Sequence, residues 1–200
     1  MNTPNKITLF RIILIPVFIV FFLGRIPDAE TSDIISLILF AVASVSDFLD
    51  GYLARKNHQV TDFGKLMDPI ADKLLVCITL LCFIELRGDM GAVNPEWASY
   101  SFPTWCAIVI MAREFIIGGV RQLAADKGII IQAGIWGKCK TVVQLFLCLD
   151  YIILPEMLEA GMIWAGVAGL VLMYAATALT VLSLVEYLVR NWKILQISCK

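Results

Sequence analysis

The stretch DFLDGYLARKNHQVTDFGKLMDPIAD, residues 47–72, sets Asp47, Asp50, Asp68 and Asp72 into the ends of two strongly apolar segments. On a helix, Asp47, Asp50 or Gly51, and Ala54 share one face at i, i+3/i+4 and i+7, while Gly64, Asp68 and Asp72 share another at i, i+4 and i+8. Two short carboxylate stripes can therefore face each other. An ionised carboxylate at membrane depth costs about 2.5 to 3.5 kcal/mol even on a lenient insertion scale, so the set calls for cations. All-oxygen ligands on short side chains suit a hard divalent ion, Mg2+ or Mn2+, rather than a thiolate-seeking metal. Two such ions would neutralise four carboxylates and grip a pyrophosphate. Gly51, Ala54 and Gly64 remove bulk where a ligand must approach the backbone, and Arg55 adds a fixed positive charge beside the opening. The plainer account is that these aspartates cap helices or pair with Arg55, Lys65 and Lys73. Cap preference explains single aspartates but not two facing stripes.

A second constellation is cationic. Arg113 and Arg121, eight residues apart in AREFIIGGVRQL, fall on one helical face two turns apart with Gly118 and Gly119 between them, which suggests a groove for a small ligand. Lys138, Lys140 and Thr141 follow in GIWGKCKT. Either lysine alone is accounted for by snorkelling to lipid headgroups. Arg113 is harder to place that way, since it stands well inside an apolar run and is followed at once by Glu114. A buried arginine wants an acidic partner or a phosphate. A diphosphate site beside a cationic pocket would suit a second ligand that itself carries a phosphate.

These residues need a membrane scaffold. With 60% hydrophobic and 16% charged residues and a mean hydropathy of +0.83, the chain is too apolar for a soluble domain, which has about 25% charge. Two hundred residues hold about six spans of ~20 residues with short connections, which predicts an all-α integral membrane protein with one membrane-embedded domain over residues 1–200. The expected spans are 7–24, after a short interfacial segment and with a possible kink at Pro16; about 33–56; 64–86; 102 to a break at Asp126-Lys127-Gly128; about 134–155; and 162–186 or beyond. A polar loop is expected from Arg87 to Ser101. No cleavable leader is expected, the first apolar run reading as a retained span.

Of the sixteen Lys and Arg, only Arg25 and Arg87 fall on one set of helix ends, which predicts both termini and the aspartate stripes on the cytoplasmic side. The net charge of −1 says little by itself, and no nucleic-acid partner is expected. Six cysteines without C-x-x-C spacing read as small hydrophobes, and the single histidine, His58, as a solvated turn residue. Trp97, Trp105, Trp164 and Trp192 fall near span ends, as an interfacial belt requires.

The pattern Asp47-x2-Asp50-Gly51-x2-Ala54-Arg55-x8-Gly64-x3-Asp68-x3-Asp72 resembles, at every fixed position, the signature of the CDP-alcohol phosphotransferases. The resemblance implies a binuclear site of two divalent cations on Asp47, Asp50, Asp68 and Asp72, with Gly51, Ala54, Arg55 and Gly64 holding the CDP group. Asp72 is, by the same resemblance, the candidate base. The motifs Pro4-Asn5-x2-Thr8-x2-Arg11, Arg113-Glu114-Phe115 and Gly137-Lys138-x-Lys140-Thr141 are similar to the branch that moves a phosphatidyl group from CDP-diacylglycerol to glycerol 3-phosphate. That branch implies Arg113, Arg121, Lys138 and Lys140 at the acceptor phosphate, Thr8, Arg11 and Thr141 as further contacts, a homodimer among membrane lipid, and a site facing the cytoplasm at a bacterial inner membrane. Other acceptors within the family, such as inositol phosphate, serine or phosphatidylglycerol, stay open. A cation channel or transporter using the aspartates as a relay is the alternative of another class. A conduction path has no need of small residues and Arg55 at those offsets.

Overall fold

The computed structural model describes residues 3–57, 62–126, 131 and 134–192. They form six long helices, α1 (Thr3–Gly24), α2 (Ala29–Asn57), α3 (Asp62–Val93), α4 (Thr104–Asp126), α5 (Ile135–Glu159) and α6 (Ile163–Arg190), with a short 3-10 helix over Pro95–Tyr100. There is no strand among the described residues.

Among the described residues, four stretches are long and apolar enough to cross a membrane, Ala29–Ser46, Pro95–Ala125, Ile135–Glu159 and Ile163–Arg190, and Thr8–Gly24 is a shorter apolar helix. The bundle is apolar on its outer surface and also buries polar and charged side chains inside. Val17, Val20, Ile108, Phe115, Phe146, Val171, Leu182 and Val189 are exposed, whereas Arg11, Ser36, Thr79, Lys140 and Thr180 are buried. A water-soluble fold could not tolerate that inversion, because its exposed side chains would form one large apolar patch. In lipid the arrangement is favourable, since backbone polar groups are satisfied within helices and buried polar side chains are kept from the lipid.

Three boundaries depart from the expectation. Residues 3–6, ahead of the first expected span, are helical and continuous with it in α1, which runs unbroken through Pro16. α3 continues past Leu86 to Val93, so the expected loop from Arg87 is part helix. No proline stands between Leu86 and Pro95, and buried Met90 anchors the extension to the core. The 3-10 helix then starts where the Asn94 side chain accepts the Glu96 N–H at 3.0 Å. Pro155, expected near the end of the fifth span, lies inside α5. It removes one ladder bond, but buried Leu154, Pro155 and Leu158 hold the final turn by packing.

Contacts between helices set their directions. Phe18 meets Phe40, and the Ser32 hydroxyl donates to the Phe21 carbonyl, so α1 and α2 are antiparallel. Phe22 meets Phe83 beside a groove of about 580 Å³ lined by Ile19, Phe22, Arg25, Ile78, Cys82 and Leu86, which brings the end of α1 against the second half of α3. Lys73 meets Gly118, and Phe83 meets Phe102 just before α4, so α3 and α4 are antiparallel. Asp150 meets Gly169 and Glu186 meets Gly134, so α5 and α6 are antiparallel as well. Arg113 bonds Ser183 and Arg121 covers Tyr187, which makes α4 and α6 parallel. The starts of α1, α3 and α5 therefore gather with the ends of α2, α4 and α6 at one end of the bundle.

The apolar core occupies the other half. Phe22, Phe83, Phe102 and Tyr151 form a continuous ring cluster with centroids 5.3 to 6.0 Å apart. Edge-on and tilted aromatic pairs of this kind add about 0.5 to 1.5 kcal/mol each beyond area burial. The Tyr151 hydroxyl donates to the Tyr100 carbonyl at 3.0 Å and ties the 3-10 helix to the cluster. Close packing in one half leaves the polar chemistry to the other.

Candidate active site

The residues from which chemistry is expected lie where α2 finishes and α3 begins. α2 is unbroken helix through Asp47, Asp50, Gly51, Ala54 and Arg55, and α3 is unbroken helix through Gly64, Asp68 and Asp72. The helical spacing on which the two carboxylate stripes depend is therefore present in the backbone. The side chains of all eight lie outside the described residues, as does His58 between the two helices. Among the described residues, no three His, Cys, Asp or Glu side chains gather as a metal-binding group.

The cationic constellation is described in more detail, and its centre is a carboxylate. Arg113 is buried on α4; its Nη1 donates to Glu114 Oε1 at 3.0 Å and its Nε donates to the Ser183 hydroxyl at 3.2 Å. Ser183 in turn donates to the Thr180 carbonyl at 2.9 Å, so its oxygen is fixed as an acceptor for Arg113. The Lys140 ammonium, buried at the start of α5, donates to the same Glu114 Oε1. Two cations from two helices thus share one carboxylate oxygen. Removing the shared carboxylate takes the anion from both cations and costs about 3 to 5 kcal/mol.

Arg121, two turns further along α4, is exposed, and its guanidinium carbon lies 5.7 Å from the centroid of the Tyr187 ring. Arg113 and Arg121 both face α6, as their spacing predicts, but they differ in burial. Lys138 and Lys140 do not share a face. Residues two apart are separated by roughly 200° around a helix, so burying Lys140 leaves Lys138 exposed. The Thr141 hydroxyl is turned back to the Gly137 carbonyl at 3.0 Å. Thr8 and Arg11, one turn apart on α1, are both fully buried.

Sequence spacing did not identify three further residues at this end. In the sequence Glu114 stands out only as the neighbour of Arg113, and the structure makes it the shared anion of two cations. Glu186 lies against the backbone of Gly134, where a Cβ would stand 2.8 Å from its carboxylate. That places a carboxylate at the N-terminus of α5, which has no side-chain cap of its own, and there its charge is favourable. Lys73 reaches across Gly118, so the gap expected between Gly118 and Gly119 is filled in part by a lysine stem. An acidic residue inside an apolar run was the signal available for Glu114 and Glu186. Nothing in the spacing could name their partners.

One bundle end thus brings together the helices bearing the aspartates and a cluster of buried cations, an arrangement able to hold polyanionic groups at a membrane surface. The description CDP-alcohol phosphatidyltransferase belongs to the family model that matches residues 1–191. A CDP-diacylglycerol--glycerol-3-phosphate 3-phosphatidyltransferase of Bacillus subtilis is 37% identical over 98% of this chain and 98% of its own length. Enzymes of the same name are 34% identical in Haemophilus influenzae, over 94% of this chain and 91% of that one, and 35% identical in Salmonella typhimurium, over 94% and 93%. With apolar helices of spanning length, a near-complete family match and relatives matched almost end to end, the chain is an integral membrane protein that belongs to the CDP-alcohol phosphatidyltransferase family.

Proposed function

We propose that the protein transfers a phosphatidyl group from CDP-diacylglycerol to glycerol 3-phosphate, forming phosphatidylglycerophosphate and CMP. The observation that carries this reading is the convergence of Arg113 and Lys140 on one oxygen of Glu114, at the bundle end that holds the aspartate-bearing helices. An acceptor that brings its own phosphate suits a pocket where two buried cations share a single carboxylate and Arg121 stands one step out. The names of the matched relatives support the same donor and acceptor.

In this reading Asp47, Asp50, Asp68 and Asp72 would hold two divalent cations, Mg2+ or Mn2+, whose charge would balance the diphosphate and the departing CMP. The all-oxygen donor set fits such ions. Gly51, Ala54 and Gly64 leave room for the CDP group, and Arg55 contacts it. Asp72 accepts the proton of the acceptor hydroxyl as that oxygen bonds to the phosphorus bearing the diacylglycerol, and the bond from that phosphorus to the CMP oxygen breaks. Arg113, Lys140 and Arg121 hold the acceptor phosphate, with Lys138, Thr8, Arg11 and Thr141 as outlying contacts. All six helices span the bilayer as one domain over residues 1–200. Both termini face the cytoplasm at a bacterial inner membrane, where a homodimer keeps the lipid tails in the bilayer and the headgroup chemistry at its edge.

Product identification tests the assignment. Purified protein in mixed micelles with CDP-diacylglycerol should release CMP and form phosphatidylglycerophosphate when glycerol 3-phosphate is offered beside inositol phosphate, serine and phosphatidylglycerol. Preferential transfer to any of the other three would replace the acceptor in this reading.

A further inference from the structure

We propose that Lys73 is an acceptor-binding residue, its ammonium carried across the α4 backbone at Gly118 to meet the acceptor's phosphate between Glu114 and Arg121. The assignment rests on the glycerol 3-phosphate reading and adds to it a residue from the helix that carries the aspartates.

The geometry is specific to one glycine. A Cβ at residue 118 would stand 1.9 Å from the Lys73 Nζ and 2.8 Å from its Cε, so any side chain there would have to displace the lysine. At Gly119, the next residue, a Cβ would meet nothing within 4 Å. Lys73 therefore uses the missing side chain at 118 as its passage. Gly118 stands one turn after Glu114 and one turn before Arg121 on the same face of α4. The ammonium thus enters the row of charged groups between the buried Arg113–Glu114–Lys140 cluster and exposed Arg121. Among the described residues no carboxylate pairs with it, the ion pairs at this end being those of Glu114 with Arg113 and Lys140.

A half-buried ammonium favours an anion beside it. A phosphate suits lysine's compact charge and long stem, which leave its donors free to follow the ligand. Lys73 also follows Asp72 directly in α3. One turn of one helix would then bear both the base and an acceptor contact, registering the attacking hydroxyl against the donor.

Steady-state kinetics on the intact protein test this, with each substrate varied in turn and CDP-diacylglycerol binding measured directly. Lys73→Met, which keeps the stem and removes the charge, should raise the KM for glycerol 3-phosphate about tenfold or more, the effect of one lost charge-assisted contact. It should also weaken competitive inhibition by inorganic phosphate and leave donor affinity within about twofold. Gly118→Ala, which keeps the charge but blocks its path, should shift acceptor KM in the same direction; an unfolding scan of each variant separates this from loss of fold. A wild-type enzyme that uses glycerol 3-phosphate while Lys73→Met keeps its acceptor KM and phosphate inhibition would overturn the assignment and leave the functional reading standing. A wild-type enzyme that prefers an acceptor without phosphate would overturn both.

Discussion

Lys140, at the start of α5, donates to the carboxylate of Glu114, twenty-six residues earlier in the chain on α4. The bond ties together two helices that do not follow one another across a tight turn, and it holds a lysine buried where an exposed lysine would be free to snorkel. Because Glu114 also holds Arg113, its removal would leave two buried cations without their shared anion.

Glu114→Ala is accordingly expected to lower stability by about 3 kcal/mol or more, and Glu114→Gln, which keeps an oxygen acceptor, by less. Thermal unfolding in detergent measures both. Glycerol 3-phosphate should raise the midpoint of Glu114→Gln more than that of the wild type, since its phosphate would replace the lost charge. Equal midpoints for Glu114→Ala and wild type would show that the shared carboxylate contributes nothing to the fold.

The two lysines at the start of α5 should separate. Lys140→Ala is expected to raise the acceptor KM by about tenfold or more, whereas exposed Lys138→Ala should change it by less than about threefold. Steady-state rates with glycerol 3-phosphate varied would reveal the difference. A larger effect at Lys138 would place the acceptor outside the buried cluster.

Asp72→Asn should depress kcat by at least about a hundredfold while donor binding persists, because the amide keeps the shape and one oxygen but cannot take the proton. Titrating CDP-diacylglycerol against the variant alongside turnover measurements resolves the two effects. If turnover survives unchanged, another group is the base.

Removing divalent ions should abolish transfer, and restoring Mg2+ or Mn2+ should recover it, because the donor set proposed for the diphosphate is wholly carboxylate. The check is activity after exhaustive chelation, followed by titration with each ion. Full activity in the chelated enzyme would remove the binuclear reading.

The bias of Lys and Arg predicts the α1–α2 turn, with Arg25 and Asp28, on the side opposite both termini. Single cysteines introduced at Asp28 and Lys200 in a background with the native cysteines replaced, labelled in sealed right-side-out vesicles, should react from outside only at position 28. Outside labelling at position 200 would reverse the topology.

The sequence alone determined that this is a helical membrane protein and where its helices fall, because burial in lipid leaves a chain with long apolar runs little choice but helix. It also determined the family, since the carboxylate and small-residue spacings along α2 and α3 are properties of single helices and survive in any packing. Pairings between helices were not legible, because they depend on how the helices rotate against one another. That Lys140 turns inward and Lys138 outward follows from which face of α5 meets its neighbours, and both lysines look alike in the chain. The same is true of Glu186 at Gly134 and of Lys73 at Gly118, where residues from distant segments share one point. Helix ends were legible only in part: Met90 draws α3 beyond its apolar run, and buried neighbours keep Pro155 inside α5, because tertiary burial outweighs the local signals that would have stopped each helix earlier.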